Sequence, residues 1–206
     1  MSSCNRNPLN VDVSDIEANV QVERFDREFY SCSDDVSFST VGQLAEKYPF
    51  FFDMYNMHII SCGTYSDKAY YECLRVFFSD YSVIEAYGAV NKEFANCDDV
   101  QKTLNDGFRH LLYYYPDMEL PRVVTFVAGF NQSIVLMDGY VGIGLEKYLG
   151  EKCPLYDMLQ IPDFCKIFQN HIYASLKLKN NNYIIDAKRQ ARAYASAKYS
   201  SRDILS

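Results

Sequence analysis

The residues of this chain that could carry out chemistry are few and lie far apart in the sequence. Its three histidines, His58, His110 and His171, have no second histidine four residues away and no glutamate in an H-E-x-x-H arrangement. That arrangement places two imidazoles on one helix face, where they bind zinc. A zinc peptidase of this type is therefore excluded for the sequence as printed. A Cys/His hydrolase stays open, because such pairs meet in space, although no flanking signature supports one.

The cysteines form no recognisable metal cluster, since no C-x-x-C pair occurs and no histidine stands at zinc-ligand spacing. Their odd number allows two interpretations, buried free thiols or six paired cysteines with one set aside. For any one of them we favour a small buried hydrophobic residue. The seven are Cys4, Cys32, Cys62, Cys73, Cys97, Cys153 and Cys165.

Two carboxyl groups and a glycine-rich run are further candidates for chemistry. Asp138 and Glu146 flank a predicted hairpin, where paired carboxyl groups could act as general acid and base. Asp138-Gly139 is, however, also the dipeptide that a tight hairpin turn requires. The run 141–144 fits neither G-x-G-x-x-G nor the P-loop pattern, so we interpret its glycines as turn, bulge or close-approach positions. We expect Tyr113–Tyr115 to pack against the next strand.

The first cysteine has an interpretation of its own. Residues 1–4, Met-Ser-Ser-Cys, resemble the end of a bacterial lipoprotein signal, and residues 5–10 read as a polar tether. A lipid on Cys4 would attach the domain to a membrane surface. The apolar stretch that precedes such a cysteine is missing from the printed sequence. Either the start codon lies inside the signal, or Cys4 is an ordinary exposed cysteine.

Composition predicts one globular domain. The chain has 206 residues, 49% of them apolar, which is enough for a full core. No run approaches the roughly 18 apolar residues of a membrane span, and the net charge of −7 argues against nucleic-acid binding. The charge reverses along the chain, with 12 basic and 25 acidic residues up to 165 but 8 and 2 afterwards. We therefore predict a tether at 1–10, a domain at 11–165 and a basic helical tail at 166–206.

Hydrophobic periodicity predicts the elements that hold these residues. Alternating residues at 11–16 and 19–25 indicate half-buried strands, and the segments that follow have helical spacing. Strand-forming runs at 122–128, 133–137 and 140–145 are separated by turn residues, which predicts a three-stranded antiparallel unit. The fold class is therefore α+β, a helical first half with a small antiparallel sheet over about 121–145. The predicted helices cover 40–48, 50–62, 66–78, 81–94 and 98–115.

Four stretches of the sequence carry a resemblance to a known family, namely Asn7–Ile16, Val22–Arg27, Pro121–Ile134 and Gly142–Gly150. Together they resemble the gliding-motility lipoprotein B (GldB) family of Bacteroidetes. The resemblance spans residues 4 to about 164 in register, with a family cysteine falling on Cys4. Beyond Phe164 it is not found, so the tail from Lys166 is expected to be a truncated or frame-altered ending.

The resemblance implies an envelope lipoprotein that is required for gliding and associated secretion in some species and is also present in relatives that do not glide. Such a protein would be anchored through a lipid on Cys4, face the periplasm and contact other envelope proteins, with no cofactor and no nucleic acid. Its layout would be similar to metallopeptidase-like domains without the zinc motif, and no catalytic residue carries over. The family signature falls on Phe130, Asn131, Ser133, Gly142, Gly144, Tyr148 and Gly150.

Three hypotheses follow. The first is a non-enzymatic, membrane-anchored envelope protein that works through protein contacts. The alternative is a degenerate or active metallopeptidase-like hydrolase whose catalytic segment is missing from this chain. The third, a cytosolic ligand-binding domain, would require reduced cysteines and an unmodified Cys4.

Overall fold

The computed structural model describes residues 11–150 and 152–160. Within them helices and a mixed sheet form an α+β fold, which confirms the predicted class. Helix α3 continues directly into a π-helical turn, Tyr55–Ile59, and a 3₁₀ turn, Leu145–Tyr148, follows the last strand. The elements are β1 (Val22–Glu23), α1 (Phe25–Ser31), α2 (Phe38–Lys47), α3 (Phe51–Met54), α4 (Lys68–Ser79), α5 (Tyr81–Glu93), α6 (Asp98–Tyr114), β2 (Arg122–Phe126), β3 (Ile134–Met137), β4 (Tyr140–Gly144) and α7 (Pro154–Met158).

The sheet has the strand order β1-β2-β4-β3. Strand β2 lies between β1 and β4 and runs parallel to both, with Val123 opposite Val22 on one side and Val141 on the other. Strand β3 forms the outer edge and pairs antiparallel with β4, joined to it by the Asp138-Gly139 turn. This hairpin confirms one of the two turns predicted from the sequence.

Each face of the sheet carries its own hydrophobic core. On one face, Val124 and Phe126 of β2 pack under α1, α2, α3 and α4. On the other, Val123 and Ile143 pack with residues of α5, α6 and α7. The alternation of side chains along β2 therefore supplies both cores from one strand.

The first core is built largely from aromatic rings. The Phe25 ring lies between 5.0 and 5.3 Å from four others, at Phe29, Tyr48, Phe51 and Tyr55. Three of these four contacts are edge to face, the geometry that aromatic quadrupoles favour. The hydroxyl of Tyr55 is buried and donates to the Val127 carbonyl at 2.6 Å, so burying it leaves no unpaired donor.

The predicted N-terminal strands are wrong except for Val22–Glu23. Side chains of α6 bond backbone groups of this segment, which in a longer strand would bond a neighbouring strand. The Asn105 side chain of α6 bonds both the N–H (2.7 Å) and the carbonyl (3.0 Å) of Val20. Gln101 of the same helix accepts from the Val22 N–H at 3.0 Å. Helix α6 thus lies along the outer edge of β1, and α1 begins at Phe25.

The predicted three-stranded antiparallel unit is also wrong, because β2 and β4 are parallel neighbours. The segment after β2 does not turn back beside it but crosses the end of β4 to reach the outer edge. Gly144 makes this path possible, since the Gln132 carbonyl oxygen occupies the space where a Cβ would stand. The sequence pattern shows turn residues at 129–131 but not which neighbour the next strand takes.

The predicted helices are present with small shifts at their ends. Ser37 caps α2, and its hydroxyl accepts from the Thr40 N–H at 3.3 Å. Asp80 caps α5 in the same way, accepting from the N–H groups of Ser82 and Val83. No helix within the described ranges is long and apolar enough to cross a membrane. Cys4 and the predicted tail at 166–206 lie outside the described residues.

Candidate functional site where the family-like segments meet

The segments 22–27 and 121–134 lie side by side in the fold, and a bidentate ion pair joins them. The Arg122 guanidinium donates to both carboxylate oxygens of Glu23, at 2.8 and 2.7 Å. It also donates to the Tyr140 hydroxyl at 2.6 Å and lies 5.0 Å from the centre of that ring. These bonds raise the pKa of Arg122, with the hydrogen bonds to Glu23 as the largest cause. The Arg122–Glu23 ion pair thus joins the beginning of β2 to β1.

A second polar cluster, centred on Asp26, is buried. Arg24 makes a bidentate pair with Asp26, at 2.9 and 2.7 Å, and the Asp26 side chain is fully inaccessible. Thr125 of β2 donates its hydroxyl proton to the same carboxylate. Arg24 also donates to the Phe94 carbonyl at 2.6 Å. The buried charge of Asp26 is thus paired and hydrogen-bonded, which is the condition for tolerating it in a core.

Arg27, the last charged residue of the first motif, holds the end of α5. Its guanidinium donates to the carbonyls of Phe94 and Ala95, at 3.2 and 3.0 Å, and to the Asn91 side chain at 2.9 Å. A cation at this place satisfies unpaired carbonyls and complements the negative end of the helix dipole. The charged side chains of the motif are therefore engaged in intramolecular bonds that join β1, α1, β2 and α5.

The most unusual polar group of the site is the carboxyl of Glu146, which is completely buried. Its Oε1 accepts from the N–H groups of Ala128 and Phe130, at 2.7 and 3.2 Å, whereas Oε2 has no hydrogen-bond partner among the described residues. Burial raises its pKa to about 7, against the opposing effect of these N–H donors. The turn it holds has positive φ at Gly129 (67°) and Phe130 (69°), a conformation that costs energy for a phenylalanine.

Asp138 and Glu146 are not brought together. Asp138 is exposed at the turn before β4, and Glu146 is buried after its end. The acid–base pairing considered from the sequence therefore does not form, and Asp138 serves the turn. Glu146 could have been suspected from the sequence only as an acid within the apolar and glycine-rich run Gly142–Gly150.

The signature glycines of β4 make room for aromatic rings. A Cβ at Gly142 would stand 2.8 Å from Cε2 of Phe51, and one at Gly144 would stand 3.0 Å from the Phe126 ring. Both distances are too short for a side chain. Gly150 has a φ of 88°, which glycine adopts without strain.

The remaining signature residues fix the crossing segment and the chain after β4. Asn131 donates to the Ile59 carbonyl at 3.2 Å, and the Ser133 carbonyl accepts from the Gly144 N–H at 2.8 Å. The Phe130 ring packs edge to face on Tyr156, and Tyr148 is buried in the second core. The signature residues thus have structural contacts.

The other candidates are dispersed. His58 is exposed on the π-helical turn, His110 bonds the Asp106 carbonyl of its own helix at 2.9 Å, and His171 lies outside the described residues. Within residues 11–150 and 152–160, no three histidine, cysteine or acidic side chains are placed to hold a metal ion. The residues Tyr113–Tyr115 are between 36% and 47% exposed, so their packing is only partial.

Six paired cysteines, one of the two interpretations, is wrong, because three cysteines of the described residues are free and one pair is bonded. Cys62 and Cys73 form a disulfide that ties the end of the π-helical segment to α4. Cys32 is a buried free thiol, as expected of a small hydrophobic residue, and burial raises its pKa to about 11. Cys97 and Cys153 are free and half-buried.

These features define an α+β domain whose motif residues organise the scaffold. The model of the family described as gliding motility protein GldB matches residues 6–191, and the chain belongs to this family of gliding-motility lipoproteins. It is not a known enzyme family. No curated protein and no solved structure matches the chain. The similarity to metallopeptidase-like domains therefore stays a prediction.

The family match corrects one boundary and leaves another open. It continues to residue 191, so the expectation that the resemblance stops near Phe164 is wrong. Part of the tail expected to be truncated or frame-altered is thus matched by the family. Cys4 precedes the matched segment, and its lipid stays a prediction, as does the domain boundary at 165.

Proposed function

We propose that this protein is a non-catalytic envelope lipoprotein of the gliding-motility and secretion type that works through protein contacts. The observation that carries the proposal is the use of the motif side chains. Arg24, Asp26 and Arg27 make internal bonds, and the Glu146 carboxyl, whose Oε2 has no hydrogen-bond partner among the described residues, is buried. Membership of the GldB family supports the same class of function.

The disulfide supports a location facing the periplasm. Disulfides such as that between Cys62 and Cys73 persist in oxidising compartments and are rare in the cytosol of mesophiles. A lipid on Cys4 would hold the domain at the membrane surface, with residues 5–10 as the tether. A lipoprotein cysteine carries more than one acyl chain, and two chains give stable attachment.

The surface at the α4–α5 corner supports contact with other envelope proteins. Val76, Tyr81 and Ile84 expose 68%, 64% and 41% of their surface, respectively. Val76 also lines a shallow depression with Gly129 and Asn131, which connects this surface to the signature turn. Exposed apolar side chains grouped in this way are typical of protein interaction sites.

Lipid attachment is tested in native cells with a clickable fatty-acid analogue. We expect the wild-type chain to incorporate the label and to sediment with membranes, and Cys4→Ser to lose both properties. Cys153→Ser is the matched control and should keep them. Mass spectrometry of the N-terminal peptide identifies the modification, and an unmodified Cys4 on a cytosolic chain would refute the proposal.

Protein contact is tested separately by in-cell cross-linking of chains expressed from the native locus. Val76→Glu and Ile84→Glu place charge on the α4–α5 corner without removing a buried side chain. We expect both to lose cross-linked envelope partners and the associated secretion or gliding, at unchanged abundance. Glu72→Gln, which lies on α4 like Val76, is the control. Full activity of both glutamate variants would contradict the role assigned to this surface.

The hydrolase alternative would need metal ligands from outside the described residues. Elemental analysis of the purified chain for zinc tests it. Stoichiometric zinc, together with peptidase activity that a chelator removes, would replace the proposed function.

A further inference from the structure

The two edges of the sheet differ in how they are protected. At β1, the side chains of Gln101 and Asn105 bond backbone groups of the edge. At β3, no described residue bonds the outward-facing backbone, and the strand pairs on one side only, with β4. Its sequence, Ile134–Met137, has no lysine, proline or bulge, which are the devices that natural proteins use to blunt an edge.

The register identifies the free groups. The Gly144 N–H donates to the Ser133 carbonyl, and Ser133 stands opposite Gly144 when the β3–β4 register is extended by one residue. In an antiparallel ladder hydrogen-bonded pairs alternate with non-bonded pairs. Val135 therefore bonds toward β4, whereas the N–H and C=O groups of Ile134 and Leu136 point to the open edge.

The side chains of the same two residues are exposed. Ile134 and Leu136 show 45% and 49% of their surface, whereas Val135 and Met137, on the other face of the strand, pack against the first core. One short segment thus presents four backbone hydrogen-bonding groups and two apolar side chains. An extended strand is the partner that satisfies both.

The geometry points to a second copy of β3 as that strand, and we propose that the chain forms a two-fold dimer by antiparallel pairing of β3 with β3. With the axis at Val135, Ile134 of one copy lies opposite Leu136 of the other, and the reverse. This register makes four backbone hydrogen bonds and joins two four-stranded sheets into one of eight strands.

Other registers are less favourable. A shift by one residue would place the exposed face of one strand beside the core-facing side of the other. Moving the axis to Leu136 would set the charged Asp138 opposite Ile134. With the axis at Val135, Asp138 lies opposite Gln132 and Met137 opposite Ser133, so no like charges meet. The segment is complementary to itself in backbone, apolar contact and charge.

The proposal is tested first by cross-linking of the full chain. The axis makes Val135 a non-hydrogen-bonded pair with its own copy, where Cα atoms lie about 4.5 Å apart, within reach of a disulfide. The two Met137 residues would be about 14 Å apart, from four residues at 3.4 Å. We expect Val135→Cys to give a covalent dimer on mild oxidation, and Met137→Cys and the wild type to give none.

The second measurement is the mass of the protein by analytical ultracentrifugation over a concentration series. We expect a monomer–dimer equilibrium, and for Leu136→Lys a dissociation constant raised about tenfold or more, with an unchanged circular dichroism spectrum. Met57→Lys, at another exposed apolar position, should dimerise like the wild type.

Some results would overturn the proposal. A wild-type chain that is monomeric at every concentration would mean that another segment or protein occupies the β3 edge. A dimer that is indifferent to Leu136→Lys, or Met137→Cys cross-linking as readily as Val135→Cys, would place the interface elsewhere. Because lipidation plays no part in these measurements, their failure is distinguishable from failure of the proposed function.

Discussion

Two buried carboxyl groups near the sheet illustrate how surroundings decide the role of a residue. Asp26 has an arginine and a threonine for its oxygens and is held as part of an ion pair. Glu146 receives two backbone N–H bonds on one oxygen and none on the other. Asp26 is part of a buried ion pair, whereas burial of Glu146 disfavours the ionised form of its carboxyl group. The two residues therefore differ in what a substitution removes.

Glu146 is expected to make the free energy of unfolding depend on pH. Burial raises its pKa from 4.5 to about 7 in the folded chain. Between these values the folded chain retains a proton that the unfolded chain has released, so the free energy of unfolding falls as pH rises. The share of this one group is about 3 kcal/mol, fully present below pH 4.5 and lost above 7. Urea titrations at pH values from 4.5 to 8 measure it.

The matched variant for this effect is Glu146→Gln, which keeps an oxygen for Ala128 and Phe130 but cannot ionise. We expect its stability profile to lack the decrease between pH 4.5 and 7. Glu72→Gln, at a side chain that is 79% exposed, should leave the wild-type profile unchanged. Parallel profiles for the wild type and Glu146→Gln would show that the buried carboxyl does not titrate in this range.

Asp26→Ala is expected to lower the free energy of unfolding by about 3–5 kcal/mol, because it leaves the Arg24 guanidinium, only 14% exposed, without its counter-charge. Chemical denaturation at pH 7 measures the loss. The exposed pair Arg75–Glu72 provides the comparison, and Glu72→Ala should cost less than about 1 kcal/mol. Equal costs at the two sites would mean that the buried Arg24–Asp26 pair stabilises the fold no more than an exposed pair does.

At the scale of elements, the sheet depends on what its neighbours supply rather than on strand patterns alone. The period-two segment before Phe25 yields only two strand residues, because Gln101 and Asn105 of a distant helix bond its backbone. The β3–β4 hairpin was predictable, since Asp138-Gly139 specifies a local turn. Parallel pairing of β2 with β4 was not, because the path between them depends on a close contact at Gly144.

Alanine substitutions at Gly144 and Gly88 are expected to have opposite effects on the free energy of unfolding, because only Gly144 has a close neighbour where the Cβ would stand. Gly144→Ala would drive a Cβ into the Gln132 carbonyl and toward the Phe126 ring, and we expect a loss of about 1–3 kcal/mol in the free energy of unfolding. Gly88→Ala, inside α5 with no atom within 4 Å of the added carbon, should stabilise by up to about 1 kcal/mol. Thermal and urea unfolding report both. If Gly144→Ala leaves the free energy of unfolding unchanged, the close contact at Gly144 is not what permits the segment after β2 to cross the end of β4.

At the scale of the whole molecule, the helices and the family were accessible from the sequence, but the site was not. Amphipathic spacing gave α4, α5 and α6 nearly to their ends, because each helix repeats its pattern over several turns. The polar joints Glu23–Arg122 and Asp26–Thr125 each connect residues 99 positions apart. No local sequence pattern encodes such a pairing. The role of these motif residues is therefore visible only in the fold, where they lie together.

The state of the cysteines in the intact protein tests the compartment that the proposed function requires. If the domain faces the periplasm, Cys62 and Cys73 should resist a maleimide reagent in denatured extracts of native cells until a reductant is added. In the purified chain, Cys62→Ala/Cys73→Ala should lower the free energy of unfolding by about 2–3 kcal/mol, since the disulfide restricts the unfolded chain. Cys153→Ala, at a free thiol, is the control and should cost less. Full labelling of Cys62 and Cys73 without reductant would place the domain in a reducing compartment and contradict the envelope assignment.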